Sequence, residues 1–282
     1  MSTLSAFADE ISPDPVEQVA VLRECGIRFL DLRGAWNTNV MDLTGPDLDR
    51  LGNILAGAGI GVAAIGSPIG KSTIDKPPAY ELERLKRACA LAERFGSRWI
   101  RIFSFYPPEG KAITGFRKQV LERMASWVEY VAREHPGLVL AHENESKIYG
   151  DLPERCVEIC SRFAGPNFTG CYDFANFAND GVERPYETAW TPLKPYIGFI
   201  HLKDWKKGGV NAVPMGEGDG EAERILADAA ASGYDGFLTL EPHLSQAGQF
   251  KGFTGPDLFK RAADAARTVC DRAGMRVERN GP

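Results

Sequence analysis

One unit recurs along the chain and restricts the folds open to it: an amphipathic helical stretch, a glycine, then a short apolar run that closes on a polar residue. The clearest copies are Gly26 before FLDLR, Gly59 before VAAIGS, Gly96 before WIRIFSF, Gly137 before LVLAHE and Gly233 before GFLTLE. A glycine past a helix end takes left-handed torsions without a Cβ clash, satisfies the last carbonyls and lets the chain turn into a strand. Helix starts carry matching signals. Asp14 before Pro15 reads as an N-cap and first-turn proline, and Pro46, Pro153 and Pro256 mark further starts. Apolar stripes at helical spacing follow, with Val16, Val19, Ala20 and Leu22 in the first helix and Leu48, Leu51, Ile54 and Leu55 in the second.

The apolar runs number eight, at 4–8, 29–33, 62–67, 99–105, 138–143, 168–173, 198–202 and 237–241. Eight near-continuous apolar strands separated by helices, with no linker or composition break, predict a single (β/α)8 barrel domain over residues 1–282. An open doubly wound sheet is the alternative. It would carry a glycine-rich fingerprint after its first strand, where this chain reads ADEISPDP.

Composition narrows the partners. The 33 basic and 38 acidic residues are spread throughout and give a net charge of -5, so no basic stripe exists to bind nucleic acid. The start, MSTLSAFADEIS, lacks a basic n-region and an apolar h-region, and no apolar stretch is long enough to cross a bilayer. A cytoplasmic protein without a membrane partner is expected. Six cysteines without a CxxC pair read as reduced thiols, and Cys156 and Cys160, one helical turn apart, as small buried apolar groups.

In such a barrel the chemistry sits at the C-terminal strand ends. The closing polar residues are Glu10, Arg33, Ser67, Ser104, Glu143, Asp173, His201 and Glu241. Strand ends turn polar simply by meeting water, which accounts for each residue singly. Three carboxylates crowded at one mouth, however, repel one another unless a cation neutralises them. Glu143, Asp173, His201 and Glu241 are therefore expected to hold one divalent metal ion. Three oxygen donors and an imidazole suit Mn(II) first, with Mg(II), Co(II) or Zn(II) as alternatives.

Side-chain alternation assigns the neighbours. If Glu143 points inward, His142 points away, as a buried histidine or an orienter of the site. His243 shares the side of Glu241 at the rim. Arg101, inside an apolar run, is cheapest with its guanidinium in the lumen. Lys203 shares the side of His201, where an ammonium stabilises developing negative charge. With Lys71, Glu145 and Asn176 these form the expected substrate-binding set: Lys71, Arg101, Glu145, Asn176, Lys203 and His243. Trp36, Phe103, Phe105 and Trp205 either wall a sugar face or belong to the core. MGEGDGE, residues 215–221, carries three acidic side chains that repel phosphate and is expected to be a flexible loop.

The motifs LAHENE, YDFANF, FIHLKD and GYDGFLTLEPH, with SPIGK and RIFSFY, resemble the xylose-isomerase-like barrel superfamily of sugar isomerases and epimerases. The likeness spans nearly the whole chain. In the ketose 3-epimerases of that group, positions matching Glu143, Asp173, His201 and Glu241 bind the metal, and the two glutamates also move protons. Asn176 matches a position that approaches substrate. The extra substrate-contacting glutamate of those epimerases has only Glu145 or Tyr149 as stand-ins. The chain lacks the many extra histidines of the endonuclease IV branch, which disfavours DNA repair. The resemblance implies a metal-dependent isomerase or epimerase of a small sugar or polyol, acting through an enediolate with Glu143 and Glu241 as catalytic groups. A dehydratase of the inosose or dehydroshikimate type, or a catalytically silent sugar-binding barrel, are the alternatives. A homo-oligomer is compatible with either.

Overall fold

In the computed structural model, which describes residues 1–245 and 254–278, each apolar run becomes a strand. They are β1 (Thr3–Ala6), β2 (Phe29–Leu32), β3 (Gly61–Ile65) and β4 (Trp99–Ile102), then β5 (Val139–Glu143), β6 (Phe168–Asp173), β7 (Ile197–Leu202) and β8 (Phe237–Leu240). They form one parallel sheet in the order β1-β8-β7-β6-β5-β4-β3-β2. The sheet curls until β1 meets β2, and Ser5 Oγ donates to Asp31 Oδ1 across that seam at 2.6 Å. A single (β/α)8 barrel results. The expected domain span included positions 246–253 and 279–282, which lie outside the described residues.

The covering helices are α1 (Pro15–Glu24), α2 (Gly45–Ala58), α3 (Pro78–Arg94) and α4 (Arg117–Glu134), then α5 (Pro153–Phe163), α6 (Phe174–Asn179), α7 (Ala222–Ala231) and α8 (Pro256–Arg272). Their starts follow the sequence signals. Asp14 caps α1 through Val16 N, and Thr44 caps α2 in a capping box with Asp47. Gly59 closes α2 at φ 66°, a torsion that favours glycine. The stripe on α1 differs from expectation. Val16 and Ala20 face water, and Gln18 takes their place because its amide donates to Ser12 O at 2.8 Å beneath the helix.

Five strands, β1, β2, β3, β4 and β8, end one to three residues before their apolar runs. Residues 103–105 leave the β4 ladder and pair instead with the loop after β3, Phe103 N donating to Ile69 O and Phe105 N to Gly70 O at 2.8 Å each. β1 stops at Ala6, and residues 8–10 make a 3-10 turn. The stretch 215–221 is the loop that leads into α7. It is wrapped around a buried carboxylate: Asp204 accepts from the backbone amides of Gly216, Gly218 and Gly220 at 3.0, 3.0 and 3.2 Å. The glycines do cradle an anion, and that anion is the protein's own side chain.

Below the mouth the lumen is filled. Phe29 meets Phe237 edge-on and Trp99 meets Phe199 edge-on, in one cluster with Ala63, Ala64, Ala141 and Cys171. The main apolar core lies between strands and helices. Among the described residues no helix is long and apolar enough to cross a membrane.

His142 faces the helix layer, where its Nε2 and Ser104 Oγ share a hydrogen bond of 3.0 Å. Burial outweighs the Glu143 charge and pushes this imidazole from the usual 6.5 down to about 4. The unfolded chain therefore binds a proton that the folded chain refuses, so stability rises with pH across that window and falls as pH drops through it. Urea unfolding followed from pH 6.5 down to about 4 should lose roughly 3 kcal/mol through this group. In His142→Gln that part of the slope should vanish; an unchanged slope refutes the assignment.

Candidate metal centre

Register sets the height of each group. Asp173 on β6 is level with His201 on β7, His201 with Thr239 on β8, and Thr239 with Ser5 on β1. Register partners share a face, so all four enter the lumen, and Lys203 and Glu241 follow one step higher. Glu143 is level with Cys171, and Arg101 with Ala141. One ligand atom from each of Glu143, Asp173, His201 and Glu241 lies within 4.8 Å of the others. None of the four residues is more than 3% exposed.

The donor atoms are aimed at one place. His201 Nδ1 lies 3.4 Å from Glu143 Oε1 and 3.5 Å from Glu241 Oε2. Asp173 caps α6, its Oδ1 accepting from Asn176 N at 2.8 Å, which leaves Oδ2 directed into the lumen. Neither Asp173 Oδ2 nor His201 Nδ1 has a hydrogen-bond partner, although both are buried. Buried polar atoms are costly when unpartnered. Two of them converging with two further carboxylates fit a single divalent cation.

Protein cations ring the cluster. Arg101 Nη1 is 3.2 Å from Glu143 Oε2, Arg33 Nη1 is 3.1 Å from Glu241 Oε1, and both guanidinium carbons sit 4.6 Å from the Phe7 ring centre. Lys203 Nζ lies 3.0 Å from Asp173 Oδ2, as an ion pair without hydrogen-bond alignment, and 3.2 Å from Glu241 Oε2. Burial works against the Lys203 ammonium, yet Asp173 and Glu241 outweigh it and hold its pKa well above the ordinary value. Burial also raises each carboxyl. His201 and Arg101 overcome this at Glu143, and Lys203 and His243 at Glu241, so both glutamates lie below the usual range, whereas Asp173 is pushed up.

The remaining expected residues separate by what they touch. Asn176 Nδ2 donates to Glu143 Oε1 at 3.3 Å and to Asn144 O at 2.8 Å, so it braces the cluster. His243 Nε2 lies 3.1 Å from Glu10 Oε1 and 3.5 Å from Glu241 Oε1. Lys71 and Glu145 pair with each other at 2.6 Å, the ammonium over Phe103. Arg101 contacts carboxylates rather than the open pocket. The Tyr149 hydroxyl turns away to Glu158 on α5, which leaves Glu145 as the remaining stand-in. A pocket of about 460 Å³ opens beside the cluster, lined by Asn176, Lys203, Trp205 and His243 among others. Of the four aromatic candidates only Trp205 lines it, since Phe105 packs on Trp127 and Trp36 lies under Arg50.

Three residues acquire roles only in the structure. Glu10 Oε2 accepts from His243 N and Thr254 Oγ1 at 2.8 Å each, tying together the two sides of segment 246–253. Arg33 neutralises the second acidic group, Glu10 with Glu241 and His243, its Nη2 lying 3.7 Å from Glu10 Oε1. In the sequence both are polar strand ends and nothing more. Asp31 carries the signal that exposes Arg101, a charge inside an apolar run, and burial pushes its carboxyl up to about 6.

An eight-stranded parallel barrel whose mouth gathers three carboxylates and an imidazole defines a class, the (β/α)8 barrels with a buried cluster at the mouth that could hold one cation. The chain matches the xylose isomerase-like TIM barrel family over residues 19–272, and it belongs to that family. Comparison with curated proteins finds no significant match. Several solved structures share the fold. The probable 3-DHS dehydratase AsbF, involved in petrobactin synthesis in Bacillus anthracis, aligns at TM-score 0.71 and 17% identity over 95% of this chain and 99% of that one. A xylose isomerase-like TIM barrel protein from Mycobacterium smegmatis, in complex with magnesium, aligns at 0.73 and 16% over 98% and 97%. D-allulose 3-epimerase from Methylomonas sp., in complex with D-allulose, aligns at 0.70 and 14% over 96% and 97%.

Mn(II) or Mg(II) at 100 times its dissociation constant should stabilise the protein by about 2.7 kcal/mol, read as a rise in melting temperature. Asp173→Asn keeps an oxygen for the α6 cap but replaces the lumen-facing charge, so it should abolish that rise while leaving the metal-free melting temperature nearly unchanged. A full rise in the variant removes Asp173 from the ligand set.

Proposed function

We propose that the protein is a divalent-metal-dependent enzyme that isomerises or epimerises a small sugar or sugar-like polyol through an enediolate. The convergence of Glu143, Asp173, His201 and Glu241 within 4.8 Å, with Asp173 Oδ2 and His201 Nδ1 buried and without a hydrogen bond, carries this reading. When bound, the cation polarises a carbonyl and the adjacent hydroxyl, which acidifies the proton on carbon. The family match and the epimerase and magnesium-bound relatives support the reading, and Mn(II) or Mg(II) suits the donor set.

The chain's own residues handle the protons. Glu143 and Glu241 are both held ionised, which a general base requires. Their strands lie three apart in the sheet, so they approach a ligand from different sides. Removal of the carbon proton by one glutamate, and delivery to the opposite face by the other once it has taken up a proton from water, inverts a stereocentre; movement between adjacent carbons by one glutamate, with the hydroxyl proton passing between the two oxygens, converts aldose to ketose. Lys203, beside Glu241, offers its ammonium to the developing oxyanion. Asn176 and His243, which line the pocket, hold hydroxyls there and Trp205 walls it, the Lys71–Glu145 pair over Phe103 is offered to the more distant end of a substrate, and Arg101 acts through the carboxylates it pairs with.

A dehydratase of the inosose or dehydroshikimate type is the second reading. His243 supports it, because an imidazole 3.1 Å from Glu10 and facing the pocket can protonate a leaving hydroxyl.

Ketoses, inososes and dehydroshikimate incubated with the Mn(II)-loaded protein should give a product of unchanged mass from at least one ketose or inosose, and loss of water would shift the assignment to the dehydratase. Glu241→Gln should lower kcat by about 100- to 10,000-fold. Retained turnover removes Glu241 from proton transfer, and metal and sugar binding without any turnover indicates a catalytically silent barrel.

A further inference from the structure

Asp31 is a buried carboxylate that the proposed chemistry leaves unused. It is 1% exposed and sits on β2 where the register against β3 slips between Leu30 and Asp31, a bulge that leaves Ala63 unpaired. Bulges of this kind re-aim a side chain, and here the chain is turned into the lumen. Its two oxygens have different surroundings. Oδ1 accepts from Ser5 Oγ at 2.6 Å and from Thr239 Oγ1 at 3.1 Å. Oδ2 has no hydrogen-bond partner, and His201 Nε2 lies 3.8 Å away. Among the described residues His201 is the one ion-pair partner of Asp31 within 4.0 Å.

His201 has the complementary arrangement. Its Nδ1 faces Glu143 and Glu241, and its Nε2 faces Asp31. A neutral imidazole carries one proton, and the nitrogen that ligates a cation must offer a bare lone pair. The proton then belongs on Nε2, where a fixed carboxylate stabilises it. Ser5, Thr239 and His201 are in mutual register on β1, β8 and β7, so two hydroxyls and the imidazole reach Asp31 at one level.

We propose that Asp31 is a positioning residue that holds His201 as the Nε2–H tautomer with Nδ1 turned to the cation site, while Thr239, on the strand beside that of His201, fixes Asp31 so that Oδ2 faces the imidazole. This rests on the proposed metal centre. Two competing roles have their own contacts: Asp31 staples the β1–β2 seam through Ser5, and the Cys171 thiol also lies against His201.

The test uses the intact protein, with histidine labelled by 15N and Mg(II) bound, so that long-range 15N–1H spectra report the tautomer. Wild type should show His201 protonated on Nε2 and bare on Nδ1. Asp31→Asn still accepts from Ser5 and Thr239 but presents an amide N–H to Nε2. It should lose that signature and weaken Mn(II) binding by about 10- to 100-fold in calorimetric titration. Ser5→Ala, which cuts the seam bond alone, and Cys171→Ala should each change affinity less than about threefold. A wild-type His201 bare on Nε2 overturns the proposal without recourse to any variant. So does wild-type affinity in Asp31→Asn, or a loss in Ser5→Ala or Cys171→Ala equal to that in Asp31→Asn. A wild-type protein that binds no divalent cation fails earlier and overturns the metal centre itself.

Discussion

Three carboxylates that are withdrawn from water and share one point constrain everything at this barrel mouth. Two unit charges 4 Å apart repel by about 4 kcal/mol at an effective dielectric of 20, so the cluster cannot persist without counter-charge. The protein supplies part of it as Arg33, Arg101 and Lys203, each within 3.2 Å of a cluster carboxylate. Those cations are themselves buried and need support. Phe7 lies 4.6 Å from both guanidinium carbons, and the aromatic plug beneath gives the group a dry floor. Asp173 Oδ2 and His201 Nδ1 still lack aligned donors, which is where a divalent ion adds something the arginines do not.

Strand pairing delivers these groups at matching heights, and local capping refines their direction. Asp173 shows how little chain this requires: one oxygen caps α6 and the other is thereby turned inward. Lys203 is held less directly. Its neighbour Asp204 points the other way and is pinned by the amides of Gly216, Gly218 and Gly220. The strand end that carries His201 and Lys203 is thus anchored from behind, so the ammonium stays in the lumen against its cost of burial.

Much of this is legible in the sequence because parallel strands with both faces covered announce themselves as apolar runs, and their polar ends mark the mouth. Glu143, Asp173, His201 and Glu241 need nothing more than that count. Arg101 follows from a charge inside an apolar run. Asp31 carries the same signal, but no local pattern gives it a role, because its partners are remote: Thr239 lies 208 positions away and Ser5 26. The glycine-rich stretch 215–221 reads as a flexible loop while its own acidic residues are the only anions in view; the one it encloses comes from a different element. The core-facing side of α1 departs from its apolar pattern for a similar reason, the buried Gln18 amide donating to the carbonyls of Ser12 and Gly34.

Glu241 is the hub of the arrangement, and its two oxygens have separate neighbours. Oε2 faces His201 and Lys203, inside the cluster, while Oε1 faces Arg33, Arg101 and His243. Glu143 is split in another way, with Oε1 toward His201 and Asn176 and Oε2 toward Arg101. The pocket opens on the side of Lys203 and His243. Lys203, which lines it, lies 3.2 Å from Glu241 Oε2, and Asn176, which also lines it, lies 3.3 Å from Glu143 Oε1. In the proposed reaction a substrate entering there meets two glutamates carried by strands three apart, the placement that inversion at a stereocentre needs, since one group must take a proton from one face while the other supplies one to the opposite face.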